Sequence, residues 1–329
     1  MIGNALKVLF LSLFVIMTTA SFGFTDDNEQ KQLDQYMSEL KKNPYDASVR
    51  EKIIRHVETM KNKPAIPEAA ERGMARGKVA FERAKSPDDF KDAIQELQKA
   101  VDAAPWLAAA YYNLGLAQEN ADNLEDAIKS FKLYLVAAAS AKDAQAVKSR
   151  IYGIEYKIEQ KGKSVSAADD CDRFNRAGHL NDALAACREA VRLDPKYSIA
   201  HYNLGVVLRS RHGSDEPAIV KGCTEAAPEF QEAIRLGHGL DAYTLLGNCY
   251  FYSKDYLRAK SIIEEGMSSW GFLSEPGSMS YAHCQLANAY YQLGEREKAL
   301  FNYEKAMGFG MVDPLVDNRI NMLRRALGR

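Results

Sequence analysis

Small and large apolar residues recur along most of the chain at a spacing that a helix gathers onto one face. In "DDFKDAIQELQKAVDAAP" the set is Ala93, Leu97 and Ala100, closed by Pro105. The same small–large–small set returns as Ala183, Cys187 and Ala190 in "GHLNDALAACREAVRLDP", closed by Pro195, and as Ala299, Tyr303 and Ala306 in "GEREKALFNYEKAMGFG". "DNLEDAIKSFKLYLVAA" offers Ala127, Phe131 and Tyr134, "CTEAAPEFQEAIRLG" offers Ala226, Phe230 and Ala233, and "KDYLRAKSIIEEG" offers Ala259, Ile263 and Gly266. A second kind of helix precedes these. Its mark is Leu114-Gly115, Leu204-Gly205, Leu246-Gly247 or Leu286-Ala287, three residues after Tyr111, His201, Tyr243 or His283. Leu208, Tyr250 and Tyr290 add a large residue three positions on, where the first copy has Gln118.

Two helices with these marks and a short polar turn between them, such as Asp122-Asn123, predict an antiparallel hairpin. Gly115 and Ala127 let the two helices approach closely, Phe131 is expected to fill the gap to the next hairpin, and Pro195 helps to end its helix because it has no N–H. Ala93 to Ala127 and Leu97 to Phe131 are both 34 residues. This pattern, on this period, resembles the tetratricopeptide repeat (TPR). The resemblance covers nearly all of the chain from about residue 66. It implies an all-α fold, a TPR-type superhelix (alpha solenoid) of helical hairpins that each bury an apolar face on the next.

Departures from the period divide the chain. Ala127 to Ala183 is 56 residues, and the surplus, "DAQAVKSRIYGIEYKIEQ", carries Val147, Ile151, Ile154 and Ile158 at helical spacing. It reads as an extra helix closing a first array over 65–160. "KGKSVSA", 161–167, reads as a joint, and 168–329 as a second array. That array ends in a capping helix, "DPLVDNRINMLRRALGR", with Leu315, Ile320, Leu323 and Leu327 inward. Ala183 to Ala226 is 43 residues, and the surplus in "RHGSDEPAIVKG" reads as a loop at one edge. "AIRLG" and "AMGFG" replace the Leu-Asp-Pro ending and give the C-terminal repeats a likeness to Sel1-type repeats. Upstream, 24–64 reads as a divergent helical hairpin around Pro44. The run from "NKPAIPEA" through "APWLAAAYYNLG" to "KLYLVAA" and "RIYGIEY" resembles an N-terminal module of bacterial envelope repeat proteins, and that resemblance brings no known reaction.

Residues 1–23 differ from the rest. Lys7 is the only charge, "VLFLSLFVIMTTASFGF" is apolar, and the polar "TDDNEQKQ" follows. This is the layout of a secretory signal peptide, with cleavage after Ala20 or after Gly23. The 17 residues of 8–24 also stand at the lower limit for an uncleaved anchor. No other stretch reaches membrane-spanning length. Export would place the mature chain in the periplasm or outside the cell, where disulfides persist. Five cysteines, Cys171, Cys187, Cys223, Cys249 and Cys284, leave at least one thiol without an intramolecular partner. Cys171 and Cys187 fall opposite each other in one predicted hairpin and form the first candidate disulfide. Cys223 and Cys249 form a second.

The 43 basic and 44 acidic side chains nearly cancel, and no basic block stands out, which argues against nucleic acid as a partner. There is no phosphate-binding glycine loop, no H-E-x-x-H and no C-x-x-C. His201 and His283 occupy the repeat's packing position, and Asp169-Asp170 stands where a helix N-terminus favours acids. Cys171 and His179 are separated by a predicted turn. No catalytic residue, metal or cofactor is expected. A metal carrier or enzyme using Cys and His in the second array stays as the alternative.

The resemblance also implies a concave surface lined by the first helices of the hairpins. The groove positions read Tyr112, Asn113, Leu116 and Glu119, then Tyr202, Asn203, Val206 and Arg209. Thr244, Leu245, Asn248 and Phe251 follow, then Cys284, Gln285, Asn288 and Tyr291. The candidate partner-binding residues among them are Tyr112, Asn113, Tyr202, Asn203, Asn248, Phe251, Asn288 and Tyr291. Amides can donate to and accept from a peptide backbone, and aromatic rings add apolar area. Asn is also common here as repeat consensus. Asp241 and Leu245 stand where chaperone-tail-binding repeats need basic side chains, so the sequence argues against that terminal-carboxylate clamp. The expectation is a non-enzymatic adaptor or scaffold of the bacterial cell envelope. It would hold a protein or peptide, with no nucleic acid and no membrane span after cleavage, and self-association stays open.

Overall fold

The computed structural model describes residues 27–328, so the signal-like segment 1–23 lies outside the described residues. Among them are fifteen α-helices, two 3-10 turns and no strand. No described helix is long and apolar enough to cross a membrane. The chain divides into two compact units between Ile158 and Glu159.

The first unit opens with a hairpin of α1 (Asp27–Lys42) and α2 (Ala47–Thr59). The Asp46 carboxylate accepts from the N–H groups of Ser48 and Val49 and so starts α2. Leu33, Leu40, Val49, Ile53 and Val57 bury the seam. Two repeat hairpins follow, α3 (Glu68–Arg83) with α4 (Phe90–Ala103) and α5 (Ala108–Asn120) with α6 (Leu124–Ala137). The start of α7 (Ala144–Arg176) adds Val147, Ile151 and Ile154 to their core. Arg50 ties α2 to α4. It donates to the carbonyls of Pro44 (2.6 Å) and Val101 (3.1 Å) and to the Asp102 carboxylate (2.5 Å). The Asp102 side chain is 46% exposed, so solvent screens the ion pair, and the carbonyl bonds of the buried cation make the firmer tie.

The second unit begins in α7 and continues through α8 (Leu180–Leu193), α9 (Ser198–Ser210) and α10 (Glu216–Arg235). Then come α11 (Leu240–Tyr252) with α12 (Tyr256–Trp270), α13 (Pro276–Gln292) with α14 (Arg296–Gly308), and finally α15 (Pro314–Ala326). The small–large rule has a direct physical cause here. A methyl group on Gly205 would lie 2.6 Å from the Phe230 ring, and one on Gly247 would lie 2.4 Å from Ile263. In the first unit, one on Gly115 would lie 2.8 Å from the Phe131 ring. Each large side chain therefore fills the space left by the glycine of its own hairpin, and Phe131 also meets Arg150 of α7 over its ring. Phe131 and Phe230 are fully buried, and each is worth about 1.5–3 kcal/mol by area alone.

The structure departs from the sequence expectation at three places. Residues 161–167, read as a joint, are helical within α7. The segment has no proline, and the fully buried Ser164 hydroxyl donates to the Ala190 carbonyl (2.8 Å), which holds it against α8. The surplus read as an edge loop is loop only over 211–215; from Glu216 it lengthens α10 to 20 residues. Pro217 in the first turn suits a helix start, because no intrahelical bond is lost there. In α15, Leu315 is 71% exposed while Val316 is buried with Ile320 and Leu323. The inward stripe therefore starts one residue later than expected.

Candidate functional site

One polar row joins the first helices of the second unit. On α9, Arg209 Nη1 donates to Asn248 Oδ1 of α11 (3.1 Å). Asn248 Nδ2 donates to Gln285 Oε1 of α13 (3.0 Å), and Asn288 Nδ2 donates to the same oxygen (3.4 Å). Asn288 Oδ1 in turn accepts from the Tyr303 hydroxyl of α14 (2.6 Å) and from Arg319 Nη1 of α15. Arg319 also donates to the Tyr303 oxygen (2.9 Å). Neither arginine has a carboxylate partner among the described residues. Arg209 Nε is buried with no acceptor at all.

The expected groove residues fare differently. Asn248 and Asn288 spend their amides in this row, and Asn203 Nδ2 donates to the Ala168 carbonyl (3.2 Å). Asn113 is fully buried and neither polar atom of its amide has a partner, so it presents nothing at a surface. The aromatic candidates keep partial exposure. Tyr112 packs edge-on to Phe131, Tyr202 stacks on His238 at 4.3 Å, Phe251 leans on Tyr256, and Tyr291 is 39% exposed. Arg209 and Gln285 stood at groove positions in the sequence. Arg319 was missed because α15 reads only as a cap; the signal was a basic residue one position before the inward Ile320.

Beside this row a cavity of about 450 Å³ opens against Asp169, Asp172, Tyr202, Asn203, His238 and Asp241. Burial, reinforced by Asp241, pushes the Tyr202 phenol up to about 12, and burial holds the His238 imidazole below its usual range.

Tetratricopeptide-repeat models match residues 87–144, 172–219 and 280–308. Over these stretches the chain carries tetratricopeptide repeats. The last match covers most of α13 and α14, the stretch whose ending looked Sel1-like. A search of curated proteins returns no match. Similar solved structures include a chain of the APC/C hetero-tetramer Cut9–Hcn1, 14% identical over 90% of this chain and 52% of that one, with TM-score 0.40. This TPR chain therefore spans about half the length of that relative. TTC0263, a thermophilic TPR protein of Thermus thermophilus, is 16% identical over 66% of this chain and 98% of its own, with TM-score 0.37. PilF of Pseudomonas aeruginosa is 13% identical over 79% and 98%, with TM-score 0.37. Nothing about partner or activity transfers from them.

The cysteines of this TPR chain fall into two groups. Cys171 and Cys187 are disulfide-bonded with Cα atoms 5.1 Å apart, joining α7 to α8. Cys223 and Cys249, the second candidate pair, are free buried thiols, as is Cys284. The hydrogen bond with Cys223, together with burial, holds the Cys249 thiol protonated, and burial pushes Cys284 up to about 11. The histidines at the packing position are engaged. His201 Nδ1 meets Glu229 Oε2 (2.7 Å) and Nε2 meets the Pro195 carbonyl (3.1 Å), while His283 Nδ1 meets Asn302 Oδ1 (2.8 Å). Among the described residues no group of three His, Cys, Asp or Glu side chains is arranged to hold a metal.

Proposed function

We propose that this protein is a non-enzymatic adaptor or scaffold of the bacterial cell envelope. In this reading, residues 1–23 export it and a protein partner lies in a groove along the first helices of its second unit. The observation that carries the reading is the row from Arg209 to Arg319. Polar groups from five helices are fixed against one another beside the partly exposed rings of Tyr202, Phe251 and Tyr291. A surface fixed in this way loses little side-chain freedom on binding, and the rings supply apolar area. The signal-like pattern of 1–23 supports export, and a structural disulfide between Cys171 and Cys187 fits an oxidising space.

The test is a pull-down from native envelope extract with the mature chain and with a Phe251→Ala, Tyr291→Ala variant, both checked for helicity. A protein retained by the first and lost by the second supports the groove. Equal retention by both refutes it. Export is checked separately, by cell fractionation and by N-terminal sequencing of the mature chain, which should begin after residue 20 or residue 23. Full recovery from the cytoplasm with Met1 intact would refute export.

A further inference from the structure

Resting on that groove reading, we infer that the groove takes an extended acidic segment, with two side-chain carboxylates held by Arg209 and Arg319. Both guanidinium groups are pinned at Nη1 by an asparagine oxygen. Neither has a carboxylate partner within the described chain, although most arginines elsewhere do, as in Arg150–Glu119, Arg192–Glu189 and Arg324–Glu304. Arg209 is also partly withdrawn from water, with Nε sealed and unpartnered. A cation so placed lacks both full hydration and a counter-charge, and an incoming carboxylate supplies the second.

Geometry favours an internal acidic segment over a single chain terminus. Helices α11 and α13 stand between the two arginines. The bonded path from one guanidinium to the other crosses four hydrogen bonds, the carboxamides of Asn248 and Asn288, and the shared Gln285 Oε1. One carboxylate cannot reach both. An extended chain advances about 3.3 Å per residue and returns to the same side every second residue. Two acids four residues apart span about 13 Å, within the length of that path. Asp169 and Asp241 line the cavity beside Tyr202 together with the ion pair of Asp172 and Arg176, a lining acidic on balance, so the acids of the partner should avoid that end.

The test is fluorescence anisotropy with a fluorescein-labelled, amide-capped peptide bearing two glutamates four residues apart. Its glutamine counterpart is compared, along with a peptide whose only anion is a free C-terminal carboxylate. The glutamate peptide should bind about tenfold more tightly than either, and the advantage should shrink with added salt. Arg209→Gln and Arg319→Gln should each weaken it about tenfold, whereas Arg209→Lys should keep part of the preference. Equal binding of the glutamate and glutamine peptides would overturn the acidic preference and leave the groove standing. Tightest binding of the free-terminus peptide would overturn the internal-segment geometry. Should no peptide bind, the acidic reading falls. The groove reading then falls with it only if the Phe251→Ala, Tyr291→Ala variant retains the native partner undiminished.

Discussion

Gly222→Ala should destabilise the second unit even though it improves helix propensity. Gly222 lies within α10, where alanine in place of glycine is worth about 1 kcal/mol. Its added Cβ, however, would lie 2.3 Å from the Arg209 carbonyl oxygen and 3.0 Å from the carbonyl carbon and Cα of the same residue. All three are backbone atoms, so no side chain can swing aside. Relief requires α9 and α10 to separate, and overpacking of this kind costs about 1–3 kcal/mol, here toward the upper end. The net loss is about 1–2 kcal/mol. At about 2–4 °C per kcal/mol for a unit of this size, the thermal midpoint should fall by roughly 2–8 °C. The matched control is Gly162→Ala, an exposed position in α7 with nothing within 4 Å of the added methyl. The same chemical change there should raise the midpoint, because only propensity acts. Far-ultraviolet circular dichroism melts of both variants give the comparison. If the two transitions of the chain separate, the one belonging to the second unit is read. A Gly222→Ala protein as stable as the parent, or more so, would refute the close-approach argument.

Three further predictions concern single features. Reducing Cys171–Cys187, or replacing both by serine, should cost about 3 kcal/mol for a bridge 16 residues apart, read from urea midpoints with and without reductant. His283 is buried and bonded to Asn302, and burial lowers its pKa from 6.5, so the folded state prefers neutral imidazole. The unfolded chain then binds more protons below about pH 6.5, and stability should be full above that value and fall as pH drops through the folded pKa. Denaturant titrations at several pH values should show this slope, and a His283→Gln protein should show less of it. Asn113→Leu should stabilise the first unit by about 1–3 kcal/mol, because the buried amide has no partner to lose; a measured loss would reveal one.

The fold was legible because its controlling contacts are local. Gly115 meets Phe131 and Gly205 meets Phe230 within single hairpins, so the pairing repeats at short, countable separations. The groove was legible only as positions. Asn248 stood out as a polar residue on the right face, but its partners lie 39 residues upstream and 37 downstream, and nothing in the sequence links them. Free amides were therefore expected where the structure has a closed row. Asn113 was misjudged for a related reason: the repeat position predicts a surface, while burial depends on what surrounds α5. The surplus before Ala226 shows another limit. Counting residues detects extra length but cannot say whether it forms loop or helix, and the clue, Pro217 in a first turn, is read more easily once the helix is known. Leu315 fails by a single residue, since the start of α15 at Pro314 fixes the phase of its stripe.

Two constraints meet at residue 209: its backbone carbonyl, which any residue would carry, requires glycine at 222, and its guanidinium opens the polar row. In evolutionary terms the two constraints are inherited together. A lineage that changed residue 222 would disturb the hairpin and the first residue of the row in one step, and selection would remove it on either count. Positions 285 and 288 carry no such backbone burden. Divergence among descendants should therefore collect there, re-tuning what the groove accepts while residues 209 and 222 stay as they are.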